Sequence, residues 1–172
     1  MRLFVTGFGP FGDVTENPSA WLAERSGAPF EVLAVTFEAI DAFFDAFDPL
    51  AWDALLMMGV AHSADKMRLE SIARNGCGSV ADVDHVIQGP APIDPFEVAA
   101  LSGGLWRPEH VHLDERLVES VNAGDYLCNA MYFQALRRAP QVRSGFLHVP
   151  PPTAIPLEAQ LDVLHRLIAA ID

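Results

Sequence analysis

The sequence predicts an α/β sandwich, a mainly parallel sheet covered by helices. Three observations carry that prediction. Strand-like apolar runs alternate with amphipathic helical stretches over the first sixty residues, the pattern of βαβ units with right-handed crossovers. The run "DALLMMGV" (Asp53 to Val60) is apolar throughout, as expected of a strand covered on both faces. Hydrophobic residues make up 51% of the 172, enough to build the core of one domain, expected to span 1–172.

Each element has a local reason. "RLFVTGF" (Arg2 to Phe8) is short, apolar and glycine-bounded, so it reads as a buried strand. "NPSAWLAERSG" opens on Asn17-Pro18 and closes on Gly27. Asparagine caps a helix, proline suits its first position, and glycine can stop it. "FEVLAVTF" (Phe30 to Phe37) is a second strand, with β-branched residues. "EAIDAFFDAF" (Glu38 to Phe47) sets Ile40, Phe43, Phe44 and Phe47 on one helical stripe. Asp53 to Val60 is the third strand, and "SGFLHVP" (Ser144 to Pro150) is another, stopped by prolines. "LEAQLDVLHRLIAAI" (Leu157 to Ile171) is a helix with Leu157, Leu161, Leu164, Leu167 and Ile168 on one side. The segment Gly76 to Val121 is rich in glycine and proline and has no clean period.

Bulk properties narrow the function. The formal charge of −12 comes from 11 basic and 23 acidic residues, which argues against nucleic acid or an anionic membrane as partner. No stretch reaches membrane-spanning length. Residues 1–11 lack the apolar run of a secretory signal. Two cysteines make no disulfide framework, so a reducing cytoplasm is the expected location.

Several residues carry candidate chemistry. In "NAGDYLCNAM", Asp125 reads as a helix cap and Cys128 as the third helical residue, where unpaired N–H groups favour a thiolate. Free cysteine is also among the most buried residue types, so a core thiol stays an open alternative. His148 ends an apolar strand at the carboxyl edge of the sheet, where open α/β sheets gather their sites, with a satisfied core histidine as the alternative. Glu70 lies in an otherwise apolar segment and is open to three readings: a solvated charge, a partner of Arg68 or Arg74, or the group that orients an imidazole. Gly7, Gly9 and Gly12 match the dinucleotide fingerprint, but Pro10 and Phe11 interrupt and the helix starts only near Asn17. That stretch reads instead as a glycine-rich turn, or as a turn presenting Phe8 and Phe11 to a small apolar pocket. His110 and His112 would share one face of a strand, and with no third ligand at metal spacing neither a metal site nor a cofactor is expected.

In combination these blocks resemble the pyroglutamyl peptidase I family, the pyrrolidone-carboxylate peptidases, which are cysteine peptidases. That family opens with T-G-F-x-P-F-G-G and then N-P-S; here stand "TGFGPFGD" and, from Asn17, "NPS". Its G-x-A-G-G and P-E-R-V-A-I-N blocks correspond to "GVAHSA" and "LESIARN". Its nucleophile block T-A-G-T-x-V-C-N corresponds to "NAGDYLCN", and G-G-F-I-H-V-P to "SGFLHVP". The resemblance implies a three-layer α/β/α sandwich with a mixed, mainly parallel sheet. It implies Cys128 as nucleophile, His148 as general base and then acid, and Glu70 as the group that orients His148. Phe8 and Phe11 match the aromatic pair around the pyroglutamyl ring, and Asn17, Val60 and Tyr126 fall at the substrate pocket. It implies no cofactor, and self-association.

The chain also departs from that pattern. Val80 stands where the family has an arginine thought to help the oxyanion region, with Arg74 as a candidate substitute. Val60 replaces a glutamine whose contact looks like a backbone one, and His62-Ser63-Ala64 replaces the glycine pair. Asp125 replaces a threonine, and its charge should disfavour the thiolate. The implied reaction is hydrolysis of the amide after an N-terminal pyroglutamyl residue. The rival readings are a thiol amidohydrolase of other specificity, decided by Gly76 to Val121, and a non-catalytic binder, against which the retained Glu70–Cys128–His148 set speaks.

Overall fold

A computed structural model describes residues 1–171, so Asp172, the last residue of the expected domain, lies outside the described residues. The alternating N-terminal pattern becomes β1 (Leu3–Phe8), α1 (Pro18–Arg25), β2 (Phe30–Leu33), α2 (Phe37–Ala46) and β3 (Ala54–Val60). The cap of α1 is the one its sequence announces: Asn17 Oδ1 accepts the Ser19 N–H at 3.0 Å. The glycine after it, Gly27, takes a left-handed φ of 80°, which a residue with a Cβ rarely adopts.

The second strand is shorter than expected. Its predicted end at Phe37 is instead the first residue of α2. Thr36 caps that helix, its hydroxyl accepting the Ala39 N–H at 3.0 Å. The carboxylate of Asp82, from a distant loop, accepts the Phe37 N–H at 3.0 Å. Two side-chain acceptors for helix-start donors outweigh the β-propensity of "VTF".

The second half supplies β4 (Met67–Glu70), β5 (Ile72–Arg74), β6 (Ala100–Ser102), β7 (Leu117–Ser120), α3 (Leu127–Arg138), β8 (Arg143–Val149) and α4 (Leu157–Ile171). Six strands form one sheet in the order β2-β1-β3-β8-β4-β7, and β5 pairs with β6 alone. Neighbours in the large sheet are parallel except β4 and β8, which are antiparallel. Phe43, Phe44, Leu127 and Phe133 bring α2 and α3 onto one face, in one core. Leu22, Leu164 and Leu167 bring α1 and α4 onto the other, in a second core. The result is a three-layer α/β/α sandwich.

Gly76 to Val121 holds β6, β7 and a short 3-10 helix at Pro108–Leu113. His110 and His112 therefore do not share a strand face. Pro108 lacks the N–H that a ladder needs, and buried His110 instead accepts the Arg107 N–H at 3.3 Å through Nδ1. Among the described residues, no helix is long and apolar enough to cross a membrane.

One feature of the register prepares the site. The β1–β3 ladder stops at Thr6–Met57, while β1 stays paired with β2 to Phe8–Leu33 and β3 with β8 to Val60–Val149. The carboxyl ends of β1 and β3 thus separate into a crevice, the place where α/β sheets bind ligands.

Candidate active site

The nucleophile candidate stands at the start of α3. Tyr126 is the N-cap, not Asp125, and it makes no side-chain capping bond. Cys128 is accordingly the second helical residue rather than the third. The open N–H groups of the first turn point out of the helix with the positive end of its dipole, and no cap side chain consumes them. Below the thiol lies Gly59 of β3. A Cβ built there would sit 2.6 Å from Cys128 Sγ and 3.0 Å from Phe146 Cζ. The sheet can hold the sulfur against its surface because position 59 has no side chain.

His148 follows from the alternation of β8. Phe146 and His148 are two residues apart and face the same layer, with ring centroids 4.9 Å apart. Glu70 reaches that imidazole because β4 runs antiparallel beside β8, with Glu70 opposite Phe146 and Arg68 opposite His148. The Glu70 carboxylate is fully buried. Its Oε1 lies 2.8 Å from His148 Nδ1, and its Oε2 accepts the Asn122 N–H at 3.2 Å. The Tyr132 hydroxyl donates to the Glu70 backbone carbonyl at 3.0 Å. With Nδ1 committed to Glu70, Nε2 is the ring nitrogen left free to serve the neighbouring Cys128.

These contacts set the protonation of the imidazole. Burial alone pushes the His148 pKa down, but the neighbouring Cys128, followed by the Glu70 hydrogen bond and charge, raises it to about 9. At neutral pH the ring holds its proton between a carboxylate and the sulfur. Cys77, in contrast, is buried, and its thiol is pushed up first by burial and then by Asp125.

Phe8 is buried in the same core that Phe11, Tyr126 and Cys128 pack against. Phe11 is half-buried at the crevice, with its ring edge-on to His62 at a centroid distance of 5.4 Å. Asn17 is buried and engaged in the turn: Nδ2 donates to the Gly9 carbonyl at 2.9 Å while Oδ1 caps α1. It shapes the crevice through Gly9 rather than by presenting a free amide. The Val60 side chain packs into the core on the opposite face of the sheet, which leaves only its backbone facing the crevice level. The Tyr126 hydroxyl donates to the Ala81 carbonyl at 2.9 Å, pinning the 80s loop beside α3.

Asp125 does not act as the cap its position suggested. Its carboxylate lies against Gly78, whose N–H donates to the Asp125 carbonyl at 2.6 Å. Turning toward the Cys77–Gly78 loop removes it from the first turn of α3. Val80 is exposed. The Arg74 backbone is clamped by Asn129, the residue after Cys128, whose side chain accepts the Arg74 N–H and donates to its carbonyl, both at 2.8 Å. Arg74 lines a cavity of about 370 Å³ with Cys77, Asn122, Gly124 and Asp125, along the loop that leads into Cys128. Gly59 and Asn129 were not singled out from sequence. A glycine inside the buried run "LLMMGV" is the signal that marks close approach by another group.

A buried carboxylate bonded to an imidazole, with a thiol beside them at a helix start and at the carboxyl edge of an α/β sheet, is an arrangement able to support thiol-dependent hydrolysis. The family model described as pyroglutamyl peptidase matches residues 1–163, and the chain belongs to that family. It is 31% identical to the pyrrolidone-carboxylate peptidase of Levilactobacillus brevis, over 87% of this chain and 82% of that protein. Pyroglutamyl-peptidase 1 of Mus musculus is 30% identical, over 86% of this chain and 78% of that one. In solved structures, a mutant pyrrolidone carboxyl peptidase from Pyrococcus furiosus superposes with a TM-score of 0.87 at 25% identity, covering 99% of this chain and 98% of its own. Pyroglutamyl peptidase I from Bacillus amyloliquefaciens gives 0.86 at 21% identity, over 98% and 93%.

Proposed function

We propose that this chain, acting as one catalytic domain, hydrolyses the amide bond that follows an N-terminal pyroglutamyl residue. The observation that carries the reading is the grouping of Glu70, His148 and Cys128, with Glu70 and His148 joined at 2.8 Å and the thiol beside them at an uncapped helix start. The Cys128 thiolate attacks the carbonyl carbon, and first-turn N–H groups of α3 receive the developing oxyanion. The C–N bond breaks as His148 gives its proton to the leaving amine. Water then attacks the thioester, His148 takes a proton from it, and pyroglutamic acid leaves as the thiol is restored. Glu70 keeps the imidazole oriented and favours its charged form throughout. The ring of the substrate is small, flat and neutral, and it fits a crevice walled by Phe11, floored by Phe8 and flanked by backbone at Val60. A reducing cytoplasm suits this chemistry, which needs Cys128 free; both cysteines are free thiols in the fold.

The test is fluorogenic hydrolysis of a pyroglutamyl amide by the whole chain, with an unblocked prolyl amide as control. Cleavage of the first alone is expected. Cys128→Ala should lose more than about 10⁴-fold in kcat, the scale of removing a nucleophile. Equal rates for the two amides, or an active Cys128→Ala variant, would refute the assignment.

A further inference from the structure

We propose that His62 is a specificity-determining residue of the acyl slot, closing its outer side so that a single five-membered lactam fits. The inference rests on the pyroglutamyl reading above and deepens it. His62 belongs to the turn that follows β3, and it is exposed. Its ring lies edge-on to Phe11, at 5.4 Å between centroids and 61° between planes. Phe11 lies in the turn after β1 and His62 in the turn after β3, so the two rings meet beyond the gap where the β1–β3 ladder has ended. An exposed ring held against a half-buried one at the mouth of a crevice forms part of its wall.

The position of the thiol strengthens the argument. Gly59 lies directly beneath Cys128 Sγ, and His62 is three residues further along the same chain. Three residues reach at most about 10 Å, which is the length scale of an acyl group seated between the sulfur and the far wall. The side chain of Val60 is turned into the opposite core, so His62 is the first large side chain after Gly59 that is placed to bound the slot. A glycine here would leave that side open. An imidazole narrows it and offers an aromatic edge to a planar ring, favouring a five-membered lactam over a larger one.

The experiment compares the unmodified chain with His62→Gly and His62→Phe on two fluorogenic amides. One carries the five-membered pyroglutamyl group and the other the six-membered 6-oxopiperidine-2-carbonyl group. His62→Gly should raise KM for the five-membered substrate by about three- to tenfold, the size of one aromatic contact, with kcat nearly unchanged. The ratio of kcat/KM, six-membered over five-membered, should rise at least as much. His62→Phe should keep KM for the five-membered substrate near that of the unmodified chain. An unchanged ratio in His62→Gly, or an equal loss in kcat and kcat/KM, overturns the inference while the peptidase reading stands. Failure of the unmodified chain to cleave the five-membered amide overturns both.

Discussion

Substituting Gly59 by alanine tests the packing that seats Cys128, the proposed nucleophile. The new Cβ would lie 2.6 Å from Cys128 Sγ and 3.0 Å from Phe146 Cζ. Favourable non-bonded contacts between carbons fall at about 3.5–4.0 Å, and sulfur is larger. The thiol or the ring must therefore retreat by roughly 1 Å. Phe146 is fully buried between the sheet and α3, so the half-buried Cys128 is the group that yields. Displacing a reacting atom by about 1 Å costs on the order of 100-fold in rate, equivalent to about 2.7 kcal/mol of transition-state stabilisation. The fold should lose only the ~1–3 kcal/mol typical of overpacking. The assay is kcat/KM on a pyroglutamyl amide beside urea unfolding of the same samples. A double-mutant cycle locates the strain: in a Cys128→Ala background, Gly59→Ala should destabilise less, because the sulfur it strikes is gone. Activity within threefold of the unmodified chain, or equal destabilisation in both backgrounds, would show that the thiol does not rest on Gly59.

Three further outcomes are expected. Activity should decline on the alkaline side as the imidazolium titrates near pH 9, the raised pKa of His148. Glu70→Gln removes one of the groups that raise this value, so the alkaline limb should move to lower pH and kcat should fall by about 10²–10⁴-fold; a limb that stays put or moves upward contradicts the role given to Glu70. Alkylation of the folded protein at neutral pH, mapped by mass spectrometry, should label Cys128 well before Cys77, since burial and Asp125 both raise the Cys77 thiol; labelling in the reverse order would reject Cys128 as the reactive group.

The sequence by itself determined the parts of this protein that obey local rules. α4 occupies Leu157–Ile171, the stretch its apolar stripe marked, because a strong period over four turns leaves little for the environment to decide. Asn17, Pro18 and Gly27 bound α1 through chemistry confined to a few neighbouring residues. The motif blocks also named Glu70, Cys128 and His148 before any geometry was available. What joins them was decided only by the tertiary structure. "MRLE" is a four-residue strand whose sequence does not say that it will pair antiparallel with β8, yet that pairing places Glu70 beside an imidazole 78 residues away. Asp82 and Thr36 turned the end of an expected strand into the start of α2, and Asp125 was drawn from the helix cap to the Gly78 loop. Such outcomes rest on partners that are distant in the chain. A residue's own periodicity encodes which face it prefers to bury, but the partner it finds there depends on how all the strands share one sheet.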